Sequence, residues 1–324
     1  MIKNNFKLDL KDKKILYELD LNSRQPCSKI AKKVGLSVEV VNYRIKKLEE
    51  EKIITHYQVI VNLAKLGILQ FKICLSFQHL NSEKLDLIIE KLKKNKSIKW
   101  IVSCQGNWDL IISLETYSIT KIELLKNEVI SLFGTYINKK TISILSEGVA
   151  YNRDYLLEEK FLKNQEIIIM KECSKVKLDQ LDFDILKHLS ENARKSIVDI
   201  ATELKINVRI INYRIQQMIK DKIILGFKIA LNYEKIGIKF YKSFIYLDTP
   251  QEEKIKELLK YFRNHKNIIH NGRVLGNWDL EPEFEVYSEK EFYKILEKIK
   301  DQFSDIIKSV DIITIFKEYK FVYL

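Results

Sequence analysis

Cysteine, proline and glycine are scarce in this chain, at four, three and nine of its 324 residues. Cys27, Cys74, Cys104 and Cys173 are scattered, with no C-x-x-C pair. That excludes a zinc finger's ligand spacing and leaves them as small buried hydrophobes in a reducing compartment. No apolar run reaches the roughly 20 residues that a membrane-spanning helix needs. The opening stretch MIKNNFKLDL has no apolar core of signal-peptide length. A soluble, cytoplasmic protein with no membrane partner is expected. Catalytic signatures are missing too. The five histidines, His56, His79, His188, His265 and His270, form no H-E-x-x-H motif and flank no recognisable Ser or Cys nucleophile, and there is no phosphate loop. The expectation is therefore no catalytic residue, no metal and no cofactor.

What is abundant is lysine. Lys and Arg number 56 against 44 Asp and Glu, a net charge of +12, which favours polyanionic partners. An AT-rich coding sequence yields the same lysine- and isoleucine-rich composition, so charge alone decides nothing. At 46% hydrophobic residues the chain can bury several small cores.

The chain is also a repeat. Lys7 to Gly67 aligned with Lys177 to Gly237 at a constant shift of 170 gives 22 identities in 61 positions without a gap, and Gly106-Asn107-Trp108-Asp109-Leu110 falls on Gly276-Asn277-Trp278-Asp279-Leu280. The first part of each unit has helical spacing. Ile15, Leu16 and Leu19 make one apolar face, a short helix follows from Ser28, Gly35 supplies a left-handed stop, and Ser37 or Asn207 caps the third helix. In that third helix the spacing buries Val41, Ile45 and Leu48, which leaves Val38, Glu39, Asn42, Tyr43, Lys46 and Lys47 outside. Residues 53–61 read as a strand pair or wing. The second part, from Gln70, reads βαββαβ. The predicted fold is α+β, with winged helix-turn-helix domains at 1–64 and 177–234, ferredoxin-like domains of RAM type at 65–151 and 235–324, and a docked, partly helical connector at 152–176.

Leu8-Asp9 with Asp12, Asn22-x-Arg24, Ile30-Ala31, the run S-x-x-V-V-x-x-R-I-x-x-L from Ser37, their counterparts 170 residues on, and the Gly-x-x-Asp turn resemble the Lrp/AsnC (feast/famine) transcriptional regulators. The resemblance covers nearly the whole chain twice. It implies double-stranded DNA as partner of the winged domains, pairing through the ferredoxin-like domains, and an amino-acid effector at interfaces between them. The effector candidates it marks are Gly106, Asn107, Asp109, Gly276, Asn277 and Asp279.

The DNA-binding candidates are Ser37, Glu39, Asn42, Tyr43, Arg44, Lys46 and Lys47 in the first unit, with Asn207, Arg209, Asn212, Tyr213, Arg214 and Gln216 in the second. Asn can bond adenine N6 and N7 together, Arg209 would favour guanine, and Glu39 would accept from a cytosine amino group. Each Arg of the shared Asn-Tyr-Arg-Ile stretch has two readings, a phosphate contact or an internal ion pair. Glu281, Glu283 and Glu285 alternate along one strand and read as a solvated face, with partner lysines, a cationic ligand or a metal as alternatives. The expected function is a DNA-binding regulator acting as a covalent pseudo-dimer with two unlike recognition helices, with further homo-oligomers left open. The alternative is an enzyme like the fused sirohaem decarboxylases, which share this two-unit plan. Those carry an Arg-rich, His-containing stretch after the winged helix, where this chain has Thr55-His56-Tyr57-Gln58 and Leu225-Gly226-Phe227-Lys228.

Overall fold

The computed structural model describes residues 6–157, 167–171, 175–248 and 251–322. Cys173 and the middle of the connector lie outside the described residues. Each copy opens with three helices: α1 (Leu10–Leu21), α2 (Cys27–Val34) and α3 (Val38–Glu50) in the first. Their counterparts are α6 (Gln180–Glu191), α7 (Ile197–Leu204) and α8 (Val208–Lys220). Asp9 and Asp179 start α1 and α6 with capping boxes whose third residues are Asp12 and Asp182, so two orphan N–H groups at each helix start are satisfied. Gly35 (φ 69°) and Lys205 (φ 56°) both end the second helix in the left-handed region, and only the first has the residue that adopts it without strain.

After α3 the observed structure differs from the predicted wing. Residues 54–61 form one strand, β1 (Ile54–Val61), and its partner comes from the other copy. It pairs antiparallel with β7 (Ile224–Leu231), and Gln58 faces Lys228, its own counterpart 170 residues on. A pseudo-two-fold axis therefore passes through that pair, and the two winged units share a single ribbon.

The remaining strands of copy one are β2 (Leu69–Phe77), β3 (Ile98–Gln105), β4 (Leu110–Thr116) and β5 (Ile137–Ala150). A connector strand, β6 (Ile167–Met170), adds to the edge of β5. Copy two supplies β8 (Lys239–Leu247), β9 (Ile268–Leu275), β10 (Glu283–Val286) and β11 (Ile307–Phe321). The last strand of each copy is long enough to do two jobs. The first half of β5 pairs with β2 and its second half crosses to β9, while β11 pairs first with β8 and then with β3. The ring β2-β4-β3-β11-β8-β10-β9-β5 thereby closes on itself as an eight-stranded barrel, with β6 on the remaining edge of the second half of β5.

Helices cover the barrel outside. Phe71, Ile73 and Leu75 of β2 face α4 (Ser82–Lys94) and α5 (Ile119–Phe133), which contribute Ile88, Ile89, Val129 and Phe133. The second copy does the same with α9 (Glu252–Asn264) and α10 (Glu289–Gln302). Alternate strand residues, such as Cys74, Trp100, Val102 and Phe244, point inward, and with Trp278 of the turn after β9 they join the core that extends into the winged units.

The acidic stripe of copy two is not solvated. Glu281 and Glu285 are fully buried and each side chain has cationic partners. Glu281 pairs with Lys72 of the other copy and with Lys242 at 2.9 Å, Glu283 with Lys242 at 2.8 Å, and Glu285 with Arg153 of the connector at 2.9 Å. The partner-lysine alternative is the one that holds, because closing the barrel turns this face inward. Burial opposes a charged Lys242, but Glu281 and Glu283 outweigh it and raise its pKa. The connector docks here as well: Arg153 reaches Asp20 of α1 and the Ile229 carbonyl of β7.

Candidate nucleic-acid interface

Helix α3 packs on α1 and α2 through Val41, Ile45 and Leu48, and α8 on α6 and α7 through Ile211, Ile215 and Met218. The opposite faces are open. Glu39, Asn42, Tyr43, Lys46 and Lys47 are exposed on α3, as are Arg209, Asn212, Tyr213 and Gln216 on α8. The two tyrosines stand out at 66% and 64% exposure, which marks the face as outward along its whole length. Val38, Val40, Val208 and Ile210 are exposed beside them, an apolar fringe suited to thymine methyl groups.

Several candidates are already engaged. Ser37 and Asn207 are N-caps, accepting from the Val40 and Arg209 backbone N–H groups. Lys46 lies 3.7 Å from Glu50, a solvated pair that phosphate can displace. Gln217 donates to Asp221 at 2.9 Å, so it does not reproduce the charge of Lys47, whose ammonium lies 5.8 Å from the Phe6 ring centroid. Of the two readings of Arg44 and Arg214, the structure shows the internal ion pair. Arg44 lies 2.7 Å from both Asp9 and Asp12, and Arg214 lies 2.7 Å from Asp179 and 3.3 Å from Asp182. Each guanidinium thus ties α3 or α8 to the capping box of the unit's first helix. Those hydrogen bonds raise the pKa of both arginines further.

The repeated Asn-x-Arg, noted in the sequence only as a pattern, sets the relation between the two units. Arg24 donates to the Ala193 and Lys195 carbonyls of the second copy, at 2.9 Å for Lys195, and Arg194 donates to the Ser23 carbonyl of the first. Each guanidinium also lies over an aromatic ring of the ribbon strand from the other copy, Arg24 over Phe227 and Arg194 over Tyr57. The exchange is reciprocal, as a two-fold interface requires. With the β1–β7 ribbon it holds α3 and α8 in one rigid pair.

The Gly106 and Gly276 turns sit at the far ends of β3 and β9. Their glycines are needed where they are: a Cβ on Gly106 would come 2.4 Å from the Ile312 carbonyl oxygen, and one on Gly276 would come 3.0 Å from that of Ile142. Asn107 and Asn277 are exposed, while Trp108 and Trp278 turn inward with rings 6.4 Å apart. Asp109 accepts from the Phe77 N–H and Asp279 from the Leu247 N–H, both at 2.7 Å, so one oxygen of each carboxylate finishes a neighbouring strand. Among the described residues no group of His, Cys, Asp and Glu has the arrangement of a metal site, and no helix is long and apolar enough to cross a membrane.

Two helix-turn-helix units bound by one ribbon over a closed barrel of paired ferredoxin-like sheets define a tandem winged-helix protein with RAM-type domains. A model described as winged helix-turn-helix DNA-binding matches residues 8–55 and again 178–224. The HTH-type transcriptional regulator LrpA of Pyrococcus horikoshii is 35% identical over 100 residues, 31% of this chain and 70% of that protein. Ptr1 of Methanocaldococcus jannaschii, also an HTH-type transcriptional regulator, is 28% identical over 103 residues, 32% of this chain and 68% of its own. The chain belongs to the Lrp/AsnC family, as a tandem duplication. Over its full length it is similar in fold to the siroheme decarboxylase NirDL, with a TM-score of 0.59 at 14% identity over 96% of this chain and 93% of that one. That likeness shows the shared architecture.

Proposed function

We propose that the chain is a sequence-specific DNA-binding transcriptional regulator in which one polypeptide presents two unlike recognition helices. The observation that carries this reading is the outward face shared by α3 and α8, with Asn42 and Asn212 exposed at equivalent positions on helices locked together by the ribbon and the reciprocal arginines. Asn42 and Asn212 read adenine in successive major grooves about 34 Å apart. Glu39 against Arg209 makes the two half-sites differ, and Lys46 and Lys47 supply phosphate contacts that Gln216 and Gln217 do not. Ser37, Asn207, Arg44 and Arg214 position these helices, and Tyr43 and Tyr213 flank the contacts. The protein acts in the cytoplasm, and the family resemblance supports further homo-oligomers. An amino-acid effector at the Asp109 and Asp279 turns rests on the family resemblance.

Selection of bound DNA from a random pool at fixed salt tests the reading. Two non-identical half-sites one helical turn apart are expected. No sequence preference, or two identical half-sites, would count against it.

The whole-chain likeness to a siroheme decarboxylase favours a second reading, an enzyme acting on a tetrapyrrole. Against it, His56 is held by the Ser190 carbonyl at 2.9 Å and position 226, its counterpart, is glycine. Haem-like absorption of the purified protein would reverse the ranking.

A further inference from the structure

Between the β1–β7 ribbon and the mouth of the barrel lies a cavity of about 150 Å³. It sits on the pseudo-two-fold axis, because Gln58 and Lys228, which face each other across that axis, both line it. In a homodimer such a cavity would carry the same side chain on both sides. Here the two-fold partners have diverged: Gln58 with Lys228, Trp100 with His270, Ser113 with Glu283. The recognition helices keep Asn-Tyr-Arg-Ile in both copies, so this divergence is not spread evenly over the chain.

The charges around the cavity balance, with one exception. Lys72 and Lys242 pair with Glu281 and Glu283, and Arg153 and Lys228 pair with Glu285 and Asp20. Glu318, on the same cavity wall, has no ion-pair partner among the described residues; it accepts one hydrogen bond, from Trp100 Nε1 at 2.8 Å. A further polar atom of the lining, Ser113 Oγ, is buried with no hydrogen-bond partner, while His270 Nδ1, also without a hydrogen bond, lies 3.8 Å from Glu283 Oε1. Burial lowers the imidazole to about 4, with Glu283 opposing and Lys242 and Lys72 adding to the shift, so the ring is neutral. Buried polar atoms are normally satisfied, and an unpaired carboxylate beside an orphan hydroxyl in the wall of one small cavity points to an occupant.

We propose that this on-axis cavity binds a small organic monocation, an amine, whose ammonium pairs with Glu318 and whose apolar part lies against Trp100. An ammonium has three donors and no acceptor, and the cavity offers Glu318 and Ser113 Oγ as acceptors. A carboxylate ligand would meet Glu283 and Glu318 with every nearby cation already paired. Because Gln58 and Lys228 belong to the ribbon that joins the winged units, occupancy acts where the spacing of α3 and α8 is set. This goes beyond the DNA-binding reading, and the binding step does not depend on it.

The test is titration calorimetry on the full chain without DNA, using three probes of matched size: n-butylamine, 1-butanol and butyrate. Only the amine is expected to bind, with affinity at least tenfold weaker in Glu318→Gln and several-fold weaker in Ser113→Ala. Glu318→Gln retains an acceptor for Trp100 Nε1, and its circular dichroism and urea midpoint report whether it folds. No heat from the amine, equal heats from all three probes, or an unchanged affinity in a folded Glu318→Gln would overturn the proposal. A change in DNA affinity on adding the amine is a separate readout, so a failure of the DNA reading leaves the calorimetric result standing.

Discussion

Replacing Arg153 with methionine should destabilise the protein far more than any surface charge change, and the structure gives the size. The Arg153 Nε donates to both Glu285 oxygens at 3.1 and 2.9 Å, Nη2 donates to Glu285 at 3.1 Å, and Nη1 donates to Asp20 at 2.5 Å and to the Ile229 carbonyl at 2.9 Å. Arg153 is 8% exposed in its side chain, and the two carboxylates are at 0%. In Arg153→Met, Glu285 keeps only the Tyr155 hydroxyl among these side-chain donors, while Asp20 keeps Lys228 at 2.8 Å. Stranding one charge of a buried pair costs about 3–5 kcal/mol. Adding Glu285→Gln removes the stranded charge and should return the loss to about 1–2 kcal/mol, the scale of neutral hydrogen bonds left imperfect. Urea unfolding at pH 7, followed by circular dichroism, reads both numbers from the shift in midpoint at constant slope. A loss below about 1 kcal/mol in the single variant, or no recovery in the double, would mean the carboxylates are solvated and the connector is not seated as described.

Three further outcomes follow from the site and its surroundings. Lys46→Ala with Lys47→Ala should weaken binding to all sequences and reduce the slope of log affinity against log salt by about 0.9 per lost phosphate contact; an unchanged slope assigns those contacts elsewhere. Arg44→Met should leave that slope unchanged and cost about 1 kcal/mol or less of stability, since its pairs with Asp9 and Asp12 are partly exposed; a slope change equal to that of a lysine would restore its phosphate role. Glu115 is pushed up to about 7 from 4.5 by burial, with Lys99 at 3.9 Å opposing. The folded state therefore holds this proton more tightly than the unfolded state, and stability is lost as pH rises from about 4.5 through 7. Glu115→Gln should accordingly gain up to about 3 kcal/mol over the parent at pH 8 and nothing at pH 4.5, measured by urea midpoints; equal gains at both values would place the carboxyl in solvent.

The helices were legible because their signals are local. Apolar spacing marked the first helix of each unit, and the Ser37 and Asn207 caps stand where α3 and α8 begin. The 170-residue shift likewise announced two units, and the buried stripe of α3 left its outward face as the remainder. Side-chain periodicity carries this information without reference to any distant residue.

Tertiary structure decided which partner each group met. The run after α3 alternates like a strand in either case, and only the docked copies show that β1 pairs with β7 and that Gln58 meets Lys228. Period two put Glu281, Glu283 and Glu285 on one face, but whether that face was wet depended on the barrel closing, which rests on two strands of 14 and 15 residues crossing between copies. The Asn-Tyr-Arg-Ile arginines present the same lesson at one residue. Their sequence neighbours are equally consistent with phosphate and with carboxylate, and the choice falls to Asp9 and Asp179, which lie 35 positions upstream of Arg44 and Arg214 and are brought near only when the three helices pack.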